Sequence, residues 1–165
     1  MKKPLDILLF GGRGDLAQRK LIPALFQLYR NKVLSAHCRI IGLSRSKIQT
    51  QEYRDLLLAA MKKYAPKSVG TDDEWHKFSQ QVDFLALDGN SQEDFINLKH
   101  LLEQNPNAER LFYLATQPSL YVHICRNLAE QNLITKTSRV ILEKPIGHNL
   151  NTAHEINRQV ALWFD

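Results

Sequence analysis

Cysteine is scarce: Cys38 and Cys125 are the only two in 165 residues. Neither sits in a CxxC or Cys/His ligand spacing, so the chain has no sequence signature of a disulfide framework or a zinc site. Both cysteines lie beside apolar residues, where free core thiols in a reducing compartment are expected. No stretch approaches the roughly 18 consecutive apolar residues of a helical membrane span. The start, MKKPLDILLFGG, has the lysines of a signal peptide. Its apolar run is too short for an h-region and contains Asp6, so a cytoplasmic location is expected. There is also no internal repeat, low-complexity tract or linker, and a single domain is the expectation. The formal charge of +5 comes from Lys and Arg spread along the chain rather than gathered in one block. That distribution argues against nucleic acid and suits a phosphorylated small molecule. Paired carboxylates, metal-ligand clusters and nucleophile–base arrangements are missing as well.

What the chain does have is alternation. Five apolar runs of strand length recur: LDILLF, CRIIGL, VDFLAL, RLFYLA and SRVILE. Each is continuous rather than alternating, as expected for strands covered on both faces. Amphipathic segments separate them. Residues 14–29 carry Leu16, Leu21, Ile22, Leu25 and Leu28 at helical spacing, and residues 51–64 carry Tyr53, Leu56, Leu57, Ala60 and Met61. Shorter helices are expected over 72–80, over 91–103 with Ser91 as N-cap, over 118–131 with Pro118 at the first position, and from Asn149 or Asn151 to about Phe164. The polar stretch from Ala65 to Asp73 reads as a mobile surface loop. Strands alternating with crossover helices predict an α/β fold of the Rossmann type: a doubly wound, mostly parallel sheet with helices on both faces and strand order 3-2-1-4-5.

The first strand runs into GGRGDL, a G-x-x-G-D form rather than the full G-x-G-x-x-G. Glycines at 11, 12 and 14 would let backbone amides approach a pyrophosphate at a helix start; the bland reading is a tight strand-to-helix turn. A site selecting NAD usually places Asp or Glu at the tip of the second strand. Here that strand ends in SRS, and Arg45, with Ser44 or Ser46 beside it, suits the 2′-phosphate of NADP.

FGGRGDLAQRKLIPALFQLY, GLSRS, LFYLATQPSLY and RVILEKPIGHNL, in this order, resemble the N-terminal coenzyme domain of the glucose-6-phosphate dehydrogenase family, and the likeness extends across essentially the whole chain. It implies NADP as cofactor, bound by Gly11, Gly12, Arg13, Gly14, Asp15, Leu16, Arg45 and Ser46 on the phosphate side. It places Asp88 and Gly89 at the adenine, and Ala115, Gln117 and Pro118 along the nicotinamide half. It implies that Lys144 of EKPIG touches cofactor and sugar phosphate together, with Lys20 also reaching the substrate, glucose 6-phosphate. The chain departs from the family at Arg13, where members usually carry Ser, Thr or Ala, and at Gln117, where they carry proline. Arg13 adds a phosphate contact, crowds the cofactor or points to solvent.

The resemblance further implies hydride transfer from C1 of glucose 6-phosphate to NADP, giving a lactone at the entry to the pentose phosphate pathway. The family's general base is a histidine in an R-I-D-H-Y-x-G-K-E block, and no such block occurs in this sequence. None of the six histidines replaces it by its sequence setting. The expectation is a coenzyme domain over 1–165, inactive by itself, with substrate and dimerisation domains absent and oligomerisation confined to the complete enzyme. The alternative is a stand-alone NADP-binding module or vestigial paralogue.

Overall fold

The computed structural model describes residues 3–164; Met1, Lys2 and Asp165 lie outside it. Strands β1 (Leu5–Phe10), β2 (Cys38–Ser44), β3 (Val82–Ala86), β4 (Glu109–Leu114) and β5 (Arg139–Leu142) form one parallel sheet in the order β3-β2-β1-β4-β5. That is the expected order, with the sheet growing outward from β1 in both directions. The connecting helices are α1 (Ile22–Arg30), α2 (Thr50–Tyr64), α3 (Asp72–Ser79), α4 (Gln92–Glu103), α5 (Tyr121–Glu130) and α6 (Leu150–Val160).

Because side chains alternate across a strand, the sheet builds two cores. Ile7 and Leu9 of β1 join Ile40, Val82 and Phe84 beneath α1, α2 and α3, where Phe26, Leu57 and Phe78 close the layer. Leu8 and Phe10 join Ile41, Leu43, Phe112 and Leu114 against Phe95 of α4, Leu128 of α5 and Val160 of α6. Cys38 belongs to the first core and Cys125 to the second, both as buried free thiols.

The expectation that every strand is covered on both faces holds for β1 and fails for β4 and β5. In β4 only Arg110, Phe112 and Leu114 are buried, and in β5 Arg139 and Ile141 are exposed. On the α1 side, Leu111 and Tyr113 of β4 are only partly buried against the first core and Ile141 of β5 is exposed, so burial alternates as on a sheet partly solvated on one face.

Helix boundaries follow local chemistry. The segment expected as one helix from Gly14 begins at Asp15 and passes through a π-helical turn, Ala17–Leu21, before α1. Ser91 caps α4 by accepting from the Asp94 amide, and Asn149 caps α6 by accepting from Thr152. Pro118 opens a 3-10 turn, Pro118–Leu120, that runs into α5, while α6 ends at Val160 rather than Phe164. The stretch 65–73 is an organised connection rather than a featureless loop. It holds a 3-10 turn, Pro66–Ser68, and a reciprocal cap between Thr71 and Glu74 that starts α3, because short polar side chains there satisfy the first helical amides.

Candidate functional site

Three glycines shape the exit of β1, each for a distinct steric reason. Gly11 has φ +83°, and a Cβ there would lie 2.7 Å from the Ala115 carbonyl oxygen. At Gly12 a Cβ would lie 2.8 Å from the Cα of Gly42 on β2, and at Gly14 one would lie 3.0 Å from the Gly11 carbonyl oxygen. The turn is therefore pressed against the neighbouring strands β2 and β4. Its amides are used inside the protein: Gly11 and Gly12 both donate to the Leu43 carbonyl at 2.9 Å, and Gly14 donates to Gly11 at 2.8 Å. This corrects the picture of glycine amides bared toward a pyrophosphate. The donors left for an anion are the first-turn amides that follow, Asp15 and Leu16, which have no intrahelical acceptor at any helix start.

Two residues absent from the sequence-based site hold this turn. Tyr53 of α2 is fully buried and donates its hydroxyl to the Gly12 carbonyl at 2.8 Å. Its ring lies over Gly42, where a Cβ would come within 2.5 Å of the hydroxyl oxygen. Burial pushes the Tyr53 phenol well above its ordinary pKa, which keeps it a donor. Gly42 inside an apolar strand was the available signal, since an interior strand glycine marks a close approach.

The turn forms one wall of a cleft of about 410 Å³ at the carboxyl ends of the strands. Gly11 comes from β1, Arg45 from the tip of β2, Asp88 and Gly89 from the end of β3, and Thr116 and Gln117 from the end of β4. Crossovers leave toward opposite faces on the two sides of β1, so this is the switch point at which open α/β sheets take ligands. Arg45 is exposed and makes no hydrogen bond or ion pair among the described residues. The Asp88 carboxylate accepts from the Asn90 amide at 3.0 Å, while the Asp88 amide donates to Asp94 at 2.8 Å. Gly89 is buried with its carbonyl accepting from Asn127 at 2.9 Å, and a Cβ on it would press on Ile124 at 3.0 Å. Thr116 Oγ1 is buried without a partner.

Other expected site residues stand around the cleft. Arg13 reaches from the glycine turn to Ser46, donating from Nη1 to the Ser46 hydroxyl. Asp15 is exposed and pairs with Arg19 at 3.3 Å, and Leu16 is half-buried. Ala115 donates its amide to the Phe10 carbonyl at 2.9 Å, and Pro118 opens the turn before α5. Lys144 is exposed just beyond β5 and does not line the cleft; Lys20 is exposed on the π-helical turn and does not line it either. The residue before Lys144 is held at two points. The Glu143 carboxylate accepts from the Tyr113 hydroxyl at 2.5 Å, and the Glu143 carbonyl accepts from Tyr121 at 2.8 Å. Desolvation, and then the bond to Glu143, push the Tyr113 phenol up to about 12. All six histidines are exposed and none lines the cleft. Among the described residues there is no group of three or more side chains able to hold a metal ion, and no helix long and apolar enough to cross a membrane.

Comparison with known proteins gives a consistent result. The family model described as "Glucose-6-phosphate dehydrogenase, NAD binding domain" matches residues 8–165. A glucose-6-phosphate 1-dehydrogenase of Rhizobium meliloti is 35% identical over 162 residues, 98% of this chain and 33% of the relative. That of Gluconobacter oxydans is 37% identical over 164 residues, again 98% of this chain and 34% of the relative. A solved glucose-6-phosphate dehydrogenase in complex with its substrate glucose-6-phosphate superposes with a TM-score of 0.86 at 34% identity, over 100% of this chain and 36% of that one. The chain thus spans about a third of the length of the curated relatives it matches.

Proposed function

Since the chain belongs to the family of the glucose-6-phosphate dehydrogenase NAD-binding domain, we propose that its residues 1–165 serve as the coenzyme domain of such an enzyme. In that enzyme the domain binds NADP during oxidation of glucose 6-phosphate to the lactone. The observation that carries this reading is the cleft: a glycine turn too tight for side chains on one side, and on the other a guanidinium without a partner at the tip of the second strand.

The residues present fit such a cofactor. Gly11 and Gly12 keep side chains out of the turn, so a diphosphate can come close to the first-turn amides of Asp15 and Leu16, where the helix dipole favours an anion. Arg45 supplies a planar donor for a phosphate on the adenosine ribose, and no carboxylate occupies the position that would select the bare ribose hydroxyls. Asp88 and Gly89 border the adenine, and Thr116 and Gln117 lie toward the nicotinamide. When bound, NADP accepts the hydride leaving C1 of the sugar.

Lys144, aimed by the doubly held Glu143, and Lys20 supply compact cationic donors for sugar hydroxyls and phosphate oxygens. Both stand outside the cleft, in keeping with a sugar pocket built jointly with the remaining two thirds of a full-length relative. No imidazole reaches the cleft and its carboxylate, Asp88, is engaged with Asn90, so no side chain here is placed to take the C1 hydroxyl proton. This favours binding without turnover for the chain alone, and keeps open the second reading of an NADP module without chemistry.

Titration calorimetry of the purified chain tests the reading: NADP is expected to bind about ten- to hundredfold more tightly than NAD. Equal affinities, or a preference for NAD, would overturn it. Oxidation of glucose 6-phosphate by the chain free of contaminating enzyme would show that a base has been overlooked.

A further inference from the structure

The surroundings of Arg13 are those of a ligand-binding group rather than a strut. It lies in the turn after β1, and its guanidinium spans to the segment after β2, where Nη1 donates to the Ser46 hydroxyl. Its backbone is fixed independently, because the Gln18 side chain donates to the Arg13 carbonyl at 2.6 Å. Its Nε is buried and has no acceptor. A buried donor without an acceptor is a standing cost in a folded protein, and a group of atoms that brings oxygens to it relieves that cost. No carboxylate forms an ion pair with Arg13 among the described residues, nor with Arg45, which is its neighbour through Ser46. The Tyr53 phenol feels the Arg13 charge but spends its hydroxyl hydrogen on Gly12. Ser44 and Arg45 line the cleft, and Arg13 stands behind them, tied through Ser46 to the residue next to Arg45, with no ion pair to a carboxylate of the protein.

We propose that Arg13 is a second guanidinium for the monoester phosphate of the cofactor ribose, closing on it from the glycine turn while Arg45 holds it from the tip of β2. This rests on the NADP reading of the cleft. A phosphate monoester is close to a dianion at neutral pH and offers three terminal oxygens. Two planar donors from different elements, with the Ser46 hydroxyl between them, match that charge and that number of acceptors better than one arginine does. In the chain as described, Arg13 rests on Ser46. On binding, the hydroxyl turns from the guanidinium to the phosphate, and the guanidinium gains acceptors it otherwise lacks. Arg13 would then determine specificity for the phosphorylated ribose without contributing to the affinity for NAD.

The test uses the purified chain, its Arg13→Ala and Arg45→Ala variants, and four probes: NADP, NAD, adenosine 2′,5′-bisphosphate and AMP. The expected result for Arg13→Ala is a ten- to hundredfold loss of affinity for NADP and for the bisphosphate, with NAD and AMP within about twofold of the parent. Its salt dependence should also be shallower for the phosphorylated probes only. Unchanged or tighter NADP binding would overturn the proposal, the latter by making Arg13 an obstruction. An equal loss for NADP and NAD would overturn it too, by making Arg13 a structural part of the turn. Should Arg13→Ala not fold, Arg13→Gln keeps the size and the local polarity and is read in the same way. Failure of the parent chain to prefer NADP sinks the NADP reading itself. A preference that survives Arg13→Ala and disappears in Arg45→Ala sinks only the role of Arg13.

Discussion

At the amino end of the sheet, Asp6 is fully buried, gripped by two 2.8 Å bonds from Arg39 and faced in register by Arg110 on β4. At the carboxyl end, Arg45 has no anionic partner and Arg13 leaves a buried nitrogen unsatisfied. The same residue types do opposite work at the two ends. The buried carboxylate ties β1 to β2 at one fixed register, and its hydrogen bond is the main reason the Arg39 pKa lies above its ordinary value. Arg110, which donates to the Leu133 carbonyl at 2.7 Å, has its pKa lowered by burial despite the nearby Asp6. Charge that the protein has matched internally maintains architecture; charge left unmatched beside a cleft is available to a ligand.

The contrast is broken most severely at the amino end. Asp6→Ala removes the buried carboxylate that Arg39 and Arg110 both feel and is expected to cost about 3 kcal/mol, toward the low end for a buried pair because Arg39 keeps 19% exposure. Thermal unfolding should show this as a fall in Tm of roughly 6–12 °C, whereas a change below about 0.5 kcal/mol would mean that the ion pair contributes nothing. At the carboxyl end the effects should exchange places. Arg45→Ala is expected to weaken NADP binding ten- to hundredfold while moving stability by no more than about 0.5 kcal/mol, and a stability loss as large as that of Asp6→Ala would erase the distinction. Between these, Gly42→Ala forces a methyl onto Tyr53 and should cost about 1–3 kcal/mol. It should also loosen the Tyr53 grip on Gly12, so that NADP and NAD affinities fall together. Parent-like affinities for both would detach Tyr53 from the site.

The smallest effect at neutral pH belongs to the thiols. Burial pushes Cys38 and Cys125 up to about 12, with Asp6 adding to the shift at Cys38. The unfolded chain gives up these protons near the ordinary value of 9.0, the folded chain only near 12. Above pH 9 the unfolded state therefore binds fewer protons, and stability falls as pH rises through that window, with no contribution at pH 7. Denaturant midpoints measured from pH 7 to 11 should be flat and then decline, and alkylation of the native chain at pH 8 should be slow at both cysteines. Rapid labelling of either would show that its side chain is accessible.

Much of this was legible in the sequence. The five apolar runs became five strands almost residue for residue, because a parallel strand between helix layers needs unbroken hydrophobicity and a helix needs its three- and four-residue spacing. The match weakened at β4 and β5, where one sheet face is only partly covered and burial alternates. The glycine turn and Arg45 were also visible as local motifs. The engagement of the Gly11 and Gly12 amides with Leu43 was not, since it joins positions 32 and 31 residues apart across two strands. Nor was the Arg13–Ser46 bond, whose partners meet only after α1 and β2 have formed.

The order of elements, the parallel sheet, the place of the turn and the absence of an acidic residue at the tip of β2 follow from the sequence alone, because local periodicity and backbone sterics act over a few residues. Which amides remain free, which charges find partners and which side chain seals the turn were decided by the tertiary structure. Those outcomes depend on distances between chain segments, and strand register sets them only once the sheet has assembled.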